Sequence, residues 1–312
     1  MKHRIVCVVG PTATGKTALG VELALALDGE IVSADSMQVY RGMDIGTAKP
    51  GEAERKGVPH HMLDVVGPEE EYSAARYVRD ASSCVDDILA RGKLPIVVGG
   101  TGLYAEALVS GRDFAPAGTQ TACREELQKQ LEREGPEAML ELLRRFDPDS
   151  AARLHRNDSK RILRALEVWY VSGKTISQHN EETRRAPPRY EAFWIGLNYL
   201  NRQDLYDRID SRVDRMLAAG LLEEVRALLA GGVPKNGTAL QAIGYKELVN
   251  VVQGTADLAS AVDKIKMESR RYAKRQLTWF RKNPEIHWIS WDKTPDLELA
   301  RQISWNYLKN WV

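Results

Sequence analysis

Cysteine is scarce in this chain of 312 residues: Cys7, Cys84 and Cys123 lie far apart, with no C-x-x-C pair. That argues against a disulfide framework and a cysteine zinc site, and fits a reducing compartment. No run approaches 18 consecutive apolar residues, so no transmembrane helix and no membrane partner is expected. Met1–Lys2–His3–Arg4 leads into an apolar stretch that stops at Gly10. This is too short for a secretory core and has no small-residue cleavage site behind it, so a cytoplasmic protein is expected. Repeats and low-complexity tracts are also missing. With 43% hydrophobic and 28% charged residues, disorder, collagen and coiled coil are excluded for the whole chain. The length suggests one large domain or two smaller ones, able to bury a core without staples.

Net charge is also nearly absent, at +1. The balance hides an asymmetry. Residues 52–90 hold nine acidic and four basic side chains, whereas 151–189 hold nine basic and four acidic. Residues 264–282 hold eight basic and one acidic. Two basic patches on a neutral protein suggest a polyanionic partner held at defined places, although on charge alone solvated helix faces are the commoner reading.

Hydrophobic patterning gives the architecture. Buried strands are expected at Arg4–Val9, Glu30–Ser33 and Leu94–Val98, with a helix at Thr17–Leu27 and another at Ser73–Arg91 capped by Ser73. Strands alternating with helices imply an α/β fold, a parallel sheet with helices on both faces. The texture changes at Gly111. Residues 112–120 read as a linker, and Ala122 to about His179 shows helical periods without a strand. RAPPR at 185–189 and the strand-like Phe193–Leu197 mark a return. The expected organisation is therefore a core of 1–115 and 190–312 with an all-helical insertion at 116–189. Helices are expected at Arg202–Ala218, Leu221–Leu229 and Leu258–Lys282, with an aromatic helical end at Tyr307–Val312.

Gly10-Pro11-Thr12-Ala13-Thr14-Gly15-Lys16-Thr17 matches G-x-x-x-x-G-K-[ST] in full, after a strand and before a helix. Glycines let such a loop curl until its amides point at phosphate oxygens, and the helix adds its positive end. Lys16 supplies a charge for the terminal phosphate and Thr17 a hydroxyl for Mg²⁺. The P-loop calls for a diphosphate or triphosphate without saying which. Asp35 follows the second strand, at the carboxyl edge where open parallel sheets bind ligands. Asp there is commonly a turn former, but Ser36, Gln38 and Tyr40 beside it exceed what a plain turn needs.

Six motifs in order, GPTATGKT at 10–17, DSMQVY at 35–40, GGTGLY at 99–104, NDSKRILRALE at 157–167, QAIGYKE at 241–247 and KRQLTWFRK at 274–282, make the chain resemble, end to end, the bacterial tRNA dimethylallyltransferases. The resemblance implies that the P-loop holds the diphosphate of dimethylallyl diphosphate. The five-carbon group then passes to the exocyclic amine of the adenosine 3′ of the tRNA anticodon, a base that must be flipped out to be reached. By the same resemblance Asp35 is the general base, and Ser36, Met37, Gln38 and Thr101 touch the base or substrate. Arg208 would help hold the departing diphosphate. Arg124, Ser159, Lys160, Arg161 and Arg164 in the insertion would contact tRNA, as would Gln241, Gly244, Tyr245 and Lys246. Lys274, Arg275, Gln276, Trp279 and Arg281 would extend that surface along the anticodon stem-loop. No obligate protein partner is implied.

Alternatives stay open on the residues alone. A P-loop small-molecule kinase would use the basic insertion as a lid, and a prenyltransferase acting on free adenine nucleotide would leave both basic patches unexplained. A non-catalytic RNA-binding protein would not need Lys16, Thr17 and Asp35. Tyr245 and Trp279 could stack on bases or be core. Arg161 and Arg164 could pair with Glu167 and Asp158 on their own helix. His60–His61 have no ligand-spaced partner and read as loop or core. Trp288, Trp291, Trp305 and Trp311 read as packing residues.

Overall fold

The computed structural model describes residues 3–114, 121–309 and 311. The expectations for residues 115–120 of the linker, for Met1–Lys2 and for Val312 lie outside the described residues.

Two compact units form, one of residues 1–111 and 189–312 and one of 112–188. In the first, β1 (Arg4–Val9), α1 (Lys16–Ala26), β2 (Gly29–Ser33), the short α2 (Glu52–Arg55) and β3 (His60–His61) lead to α3 (Ala74–Ala90), β4 (Leu94–Gly99) and α4 (Gly102–Ser110). The second unit holds α5 (Thr121–Phe146), α6 (Pro148–Arg153), α7 (Ser159–Ser172) and α8 (Ile176–Arg185). The chain re-enters the first unit as β5 (Glu191–Tyr199), α9 (Arg202–Ala218), α10 (Leu221–Ala230), α11 (Tyr245–Val252), α12 (Leu258–Phe280), β6 (Ile286–Trp291) and α13 (Leu297–Leu308).

The sheet has six strands in the order β3-β2-β4-β1-β5-β6, and every pair is parallel. β1 lies inside it, and its five residues Ile5–Val9 are fully buried. Ile5, Cys7 and Val9 join the core on one face, and Val6 and Val8 join the core on the other. The period-two alternation of a strand thus feeds two hydrophobic layers. Each buried Val or Ile contributes about 1.5–3 kcal/mol, which makes β1 the best anchored segment from which a loop can be hung. The carboxyl ends of β1, β2 and β4 carry residues 10–15, 34–38 and 99–101 to one edge of the sheet, where parallel sheets place their ligands.

The second unit packs Leu127, Met139, Leu143, Ile162, Leu163 and Leu166 into its own core. Its first helix breaks at Gly135, at φ 83°, before Pro136. Proline removes the donor and clashes with the preceding turn, and glycine accepts the left-handed geometry of the break.

β6, α4 and α11 were not expected, and α13 begins at Leu297, well before the helical end expected at Tyr307. Ile286-His287-Trp288-Ile289-Ser290-Trp291 is an edge strand, paired among the described residues only with β5. Trp291 within it is a packing residue as expected, at 3% exposure, whereas Trp305 on α13, read the same way, is 43% exposed. His60 and His61 form the other edge strand, where His61 Nε2 lies 2.8 Å from the Glu30 carboxylate. Among the described residues no three His, Cys, Asp or Glu could gather a metal ion, and no helix is long and apolar enough to cross a membrane.

Candidate active site

The loop after β1 curls because its backbone is allowed to. Gly10 adopts φ +140°, and a Cβ there would lie 2.3 Å from the carbonyl oxygen of Leu197 on β5. Gly15 turns left-handed, at φ 85°, directly before α1. Side chains then lock the curl. The buried Thr14 hydroxyl donates to the Pro11 carbonyl at 2.9 Å, and Trp291 Nε1 donates to the Thr14 carbonyl at 2.9 Å. Lys16 Nζ reaches back to the Pro11 carbonyl at 2.7 Å.

A cavity of about 500 Å³ opens at this edge. Thr12, Lys16 and Thr17 line it from the phosphate loop, Asp35, Ser36, Met37 and Gln38 from the loop after β2, and Gly99 and Gly100 from the end of β4. Helix α9 contributes Ile209, Arg212, Val213 and Met216, spaced to share one helical face. Of the other expected residues, Gln241, Gly244, Lys246, Arg275 and Gln276 line it, and Tyr272, which was not expected, lines it as well.

Two cations and a carboxylate therefore meet. Burial, reinforced by Arg212, pulls Lys16 down to about 7, and Asp35 acts in the opposite sense. Burial likewise lowers Arg212, again opposed by Asp35. One oxygen of Asp35, Oδ1, accepts the amides of Met37 at 2.9 Å and Gln38 at 3.4 Å. The turn-forming reading of Asp35 and its place in the cavity are thus both realised: one oxygen builds the turn, and Oδ2 makes no hydrogen bond among the described residues. Thr101 Oγ1 accepts the Ser36 amide at 3.1 Å, holding the next residue in place. Tyr272, on the same wall, is pushed up to about 12 by burial and by Asp35.

Gln38 is oriented from both ends. Its Oε1 accepts from Ser33 at 2.9 Å, and its Nε2 donates to the carbonyls of Thr47 and Ala48 at 3.3 Å each. The segment carrying those carbonyls is fixed in turn by Glu224, which no sequence signal singled out. Its carboxylate accepts the amides of Asp44, Ile45 and Gly46 at 2.8–3.1 Å and the Tyr245 hydroxyl at 2.6 Å. Tyr245 is fully buried, so of the two readings open for it, core is the one realised. Its ring abuts Gly46, where a Cβ would come within 2.5 Å.

Arg208 does not line the cavity; Arg212, one turn further along α9, does. Arg208 Nε is buried without a hydrogen-bond partner. Arg212 was missed, although a lone arginine in the apolar stripe Leu205, Ile209, Val213, Met216 was a signal for it.

On the outer face of α12, Arg271, Lys274, Arg275, Thr278, Trp279 and Lys282 line a shallow depression. Trp279 is 36% exposed and lies against Gly102 at the start of α4, with Lys282 Nζ 5.8 Å from its ring centroid. It is a surface aromatic among cations. Arg281 is exposed at the end of the same helix. In the helical unit, Ser159 opens α7, and Lys160 and Arg161 are exposed. Arg124 and Arg164 instead both donate to Glu167, at 3.2 and 3.1 Å. The pairing read as possible for Arg164 is formed; Arg161 makes no ion pair among the described residues.

The fold and cavity define an α/β protein of the P-loop type, with the G-x-x-x-x-G-K-T loop and a carboxylate on the walls of one cavity. The IPP transferase family profile matches residues 38–283, and an isopentenyl transferase profile matches 3–68. A tRNA dimethylallyltransferase of Caldanaerobacter subterraneus subsp. tengcongensis is 47% identical over 309 residues, covering 99% of this chain and 98% of that one. Its counterpart in Pelotomaculum thermopropionicum is 46% identical, over 97% and 96%. Among solved structures, the full-length tRNA isopentenylpyrophosphate transferase of Bacillus halodurans superposes with a TM-score of 0.73 at 39% identity, over 99% and 98% of the two chains. A eukaryotic dimethylallyltransferase acting on tRNA gives a TM-score of 0.83 at 31% identity, over 98% of this chain and 80% of that one. The chain belongs to the tRNA dimethylallyltransferase family of IPP transferases.

Proposed function

We propose that the protein transfers the dimethylallyl group of dimethylallyl diphosphate to the exocyclic amine of the adenosine 3′ of the anticodon in tRNA, releasing diphosphate. The observation that carries this reading is the meeting of Lys16, Arg212 and Asp35 in one cavity beside the phosphate loop.

The reaction breaks the carbon–oxygen bond of a primary allylic diphosphate and forms a carbon–nitrogen bond. Negative charge grows on the bridging oxygen, and the loop amides, Lys16 and Arg212 meet it in a shielded site where such contacts count most. Arg212 takes the part that the resemblance assigns to Arg208. The flipped base enters between Asp35, Ser36 and the oriented Gln38, with Asp35 accepting the amine proton as the bond forms. Mg²⁺ fits this donor set through the Thr17 hydroxyl together with diphosphate oxygens; it would add further positive charge at the leaving group. The tRNA would be held by the cationic faces of α12 and α7, and the protein would work in the cytoplasm.

Incubating the protein with labelled dimethylallyl diphosphate and either tRNA or AMP tests the reading. Label on tRNA is expected. Label on AMP alone would turn it into a free-nucleotide prenyltransferase, and ATP hydrolysis without prenyl transfer would make it a kinase-like enzyme.

A further inference from the structure

Gln276 sits within the cationic run of α12 that the resemblance assigns to RNA, yet it is 5% exposed and points the other way. Both ends of its amide are engaged. Oε1 accepts the Thr12 amide of the phosphate loop at 2.9 Å, and Nε2 donates to the Gly100 carbonyl after β4 at 2.9 Å. One side chain thus bridges the carboxyl ends of β1 and β4, the two neighbouring strands whose loops wall the cavity. The fit leaves no slack: a Cβ on Gly100 would fall 2.2 Å from Gln276 Nε2. Tyr272, one turn back, lies on the same wall, with Gln276 and Thr101 among the groups that act on its hydroxyl.

A phosphate loop binds through amides whose directions must be set before the ligand arrives. The Thr12 amide is taken up by Gln276 and so does not face the ligand; it anchors the loop, and among the described residues it is the loop amide that a side chain of another element holds, leaving its neighbours to keep their direction. An unpaired amide and carbonyl would be left behind if that side chain were lost, and the loop would drift toward other partners. Lys274, two residues before Gln276, is an exposed cation on the outer face of α12 and does not line the cavity.

We propose that Gln276 is a positioning residue of the diphosphate site, holding the phosphate loop to the β4 loop, and is not itself an RNA contact. The proposal rests on the transferase reading above and deepens it.

The test compares wild type, Gln276→Met, Gln276→Asn and Lys274→Ala in two calorimetric titrations, with inorganic pyrophosphate plus Mg²⁺ and with an anticodon stem-loop RNA. Met matches the length without the hydrogen bonds. Asn keeps the amide on a stem too short to span both loops, and so leaves a second variant if Met does not fold. Both Gln276 variants should bind pyrophosphate about tenfold or more weakly and keep their RNA affinity within about threefold. Lys274→Ala should do the reverse. In turnover, KM for dimethylallyl diphosphate should rise while KM for tRNA holds. Hydrogen exchange of the 10–16 peptide should quicken in the Gln276 variants and stay unchanged in Lys274→Ala. RNA affinity falling as far as in Lys274→Ala, or unchanged pyrophosphate affinity and loop exchange, overturns the proposal. A wild type that binds neither ligand overturns the transferase reading, and the proposal with it.

Discussion

Asp35 in the sheet unit and Glu167 in the helical unit are each a carboxylate near two cations, and the two trios are arranged differently. Glu167, 4% exposed, accepts from both Arg124 and Arg164. Its charge is matched where it lies, and the two arginines are partly engaged in matching it. Asp35 influences Lys16 and Arg212 only through space, and no ion pair closes between them among the described residues. A satisfied buried charge holds structure together. Separated charges around a cavity leave each group available to a ligand. The resemblance names Asp35, Arg124 and Arg164 alike as site residues; the geometry sorts them by whether the charge already has its partner.

Breaking the open trio should have the largest effect. Asp35→Asn keeps the shape and removes the proton acceptor, so kcat should fall ~10²–10⁴-fold with tRNA affinity little changed. Near-normal single-turnover rates would remove Asp35 from the role of base. Arg212→Ala should cost ~10²–10³-fold in kcat, as losing one charge-stabilising donor does. Arg208→Ala should cost far less, because Arg208 stands outside the cavity. Equal losses from the two arginines would show that the cavity does not distinguish them.

Lys16 sharpens the comparison without any change in the backbone. With its ammonium lowered to about 7 in the protein alone, much of Lys16 is neutral at neutral and higher pH. A diphosphate favours the charged form, so binding should draw in a proton: roughly half a proton near pH 7, approaching one near pH 9, and little near pH 5. Calorimetry of pyrophosphate binding in buffers of different ionisation enthalpy measures this, with Lys16→Met subtracted to remove the ligand's own titration. Equal uptake in wild type and variant would mean that Lys16 is fully charged before binding.

Much of this was legible in the residues. α9 runs Arg202–Ala218 as its periodicity implies, and Ser73 caps α3 by accepting the Arg76 amide. β6 was hidden because an aromatic-rich edge strand of six residues with one neighbour shows no clean alternation. Glu224, and the loop-bridging contacts of Gln276, which the resemblance assigns to RNA, were hidden for a different reason. Each acts on backbone groups distant in sequence, Glu224 on residues 44–46 and Gln276 on Thr12 and Gly100. Contacts of that kind leave no local pattern. Motif matching finds the residues that touch a ligand more readily than those that hold the loops around it.

The closed trio should answer in stability. Glu167→Ala removes two charge-assisted hydrogen bonds, but Arg124 and Arg164 are 46% and 30% exposed and can turn to water. The loss should be about 1–2 kcal/mol, toward the low end for that reason. It should appear in the unfolding of the helical unit, followed by hydrogen exchange of α5 and α7, with pyrophosphate affinity unchanged. A protein as stable as wild type would mean that Glu167 is not what holds those helices together.

The smallest effect separates cations within one helix. Lys160 and Arg161 are exposed, whereas Arg164 is engaged with Glu167. If exposed cations meet RNA phosphates, each one lost should reduce the slope of log K against log salt by about 0.7–0.9. Lys160→Ala with Arg161→Ala should therefore flatten the slope by roughly 1.4–1.8, weakening tRNA binding at low salt and hardly at high salt. Arg164→Ala should change the slope less, because its charge already faces a carboxylate, and should instead loosen α7 slightly. Titrating an anticodon stem-loop at several salt concentrations reads both. If the double variant keeps the wild-type slope, Lys160 and Arg161 are scaffold, and the RNA surface of this chain must be sought around Lys274–Arg281. If Arg164→Ala flattens the slope as much as either exposed cation, a partner on the protein does not take an arginine out of RNA binding, and the distinction drawn between the two trios fails.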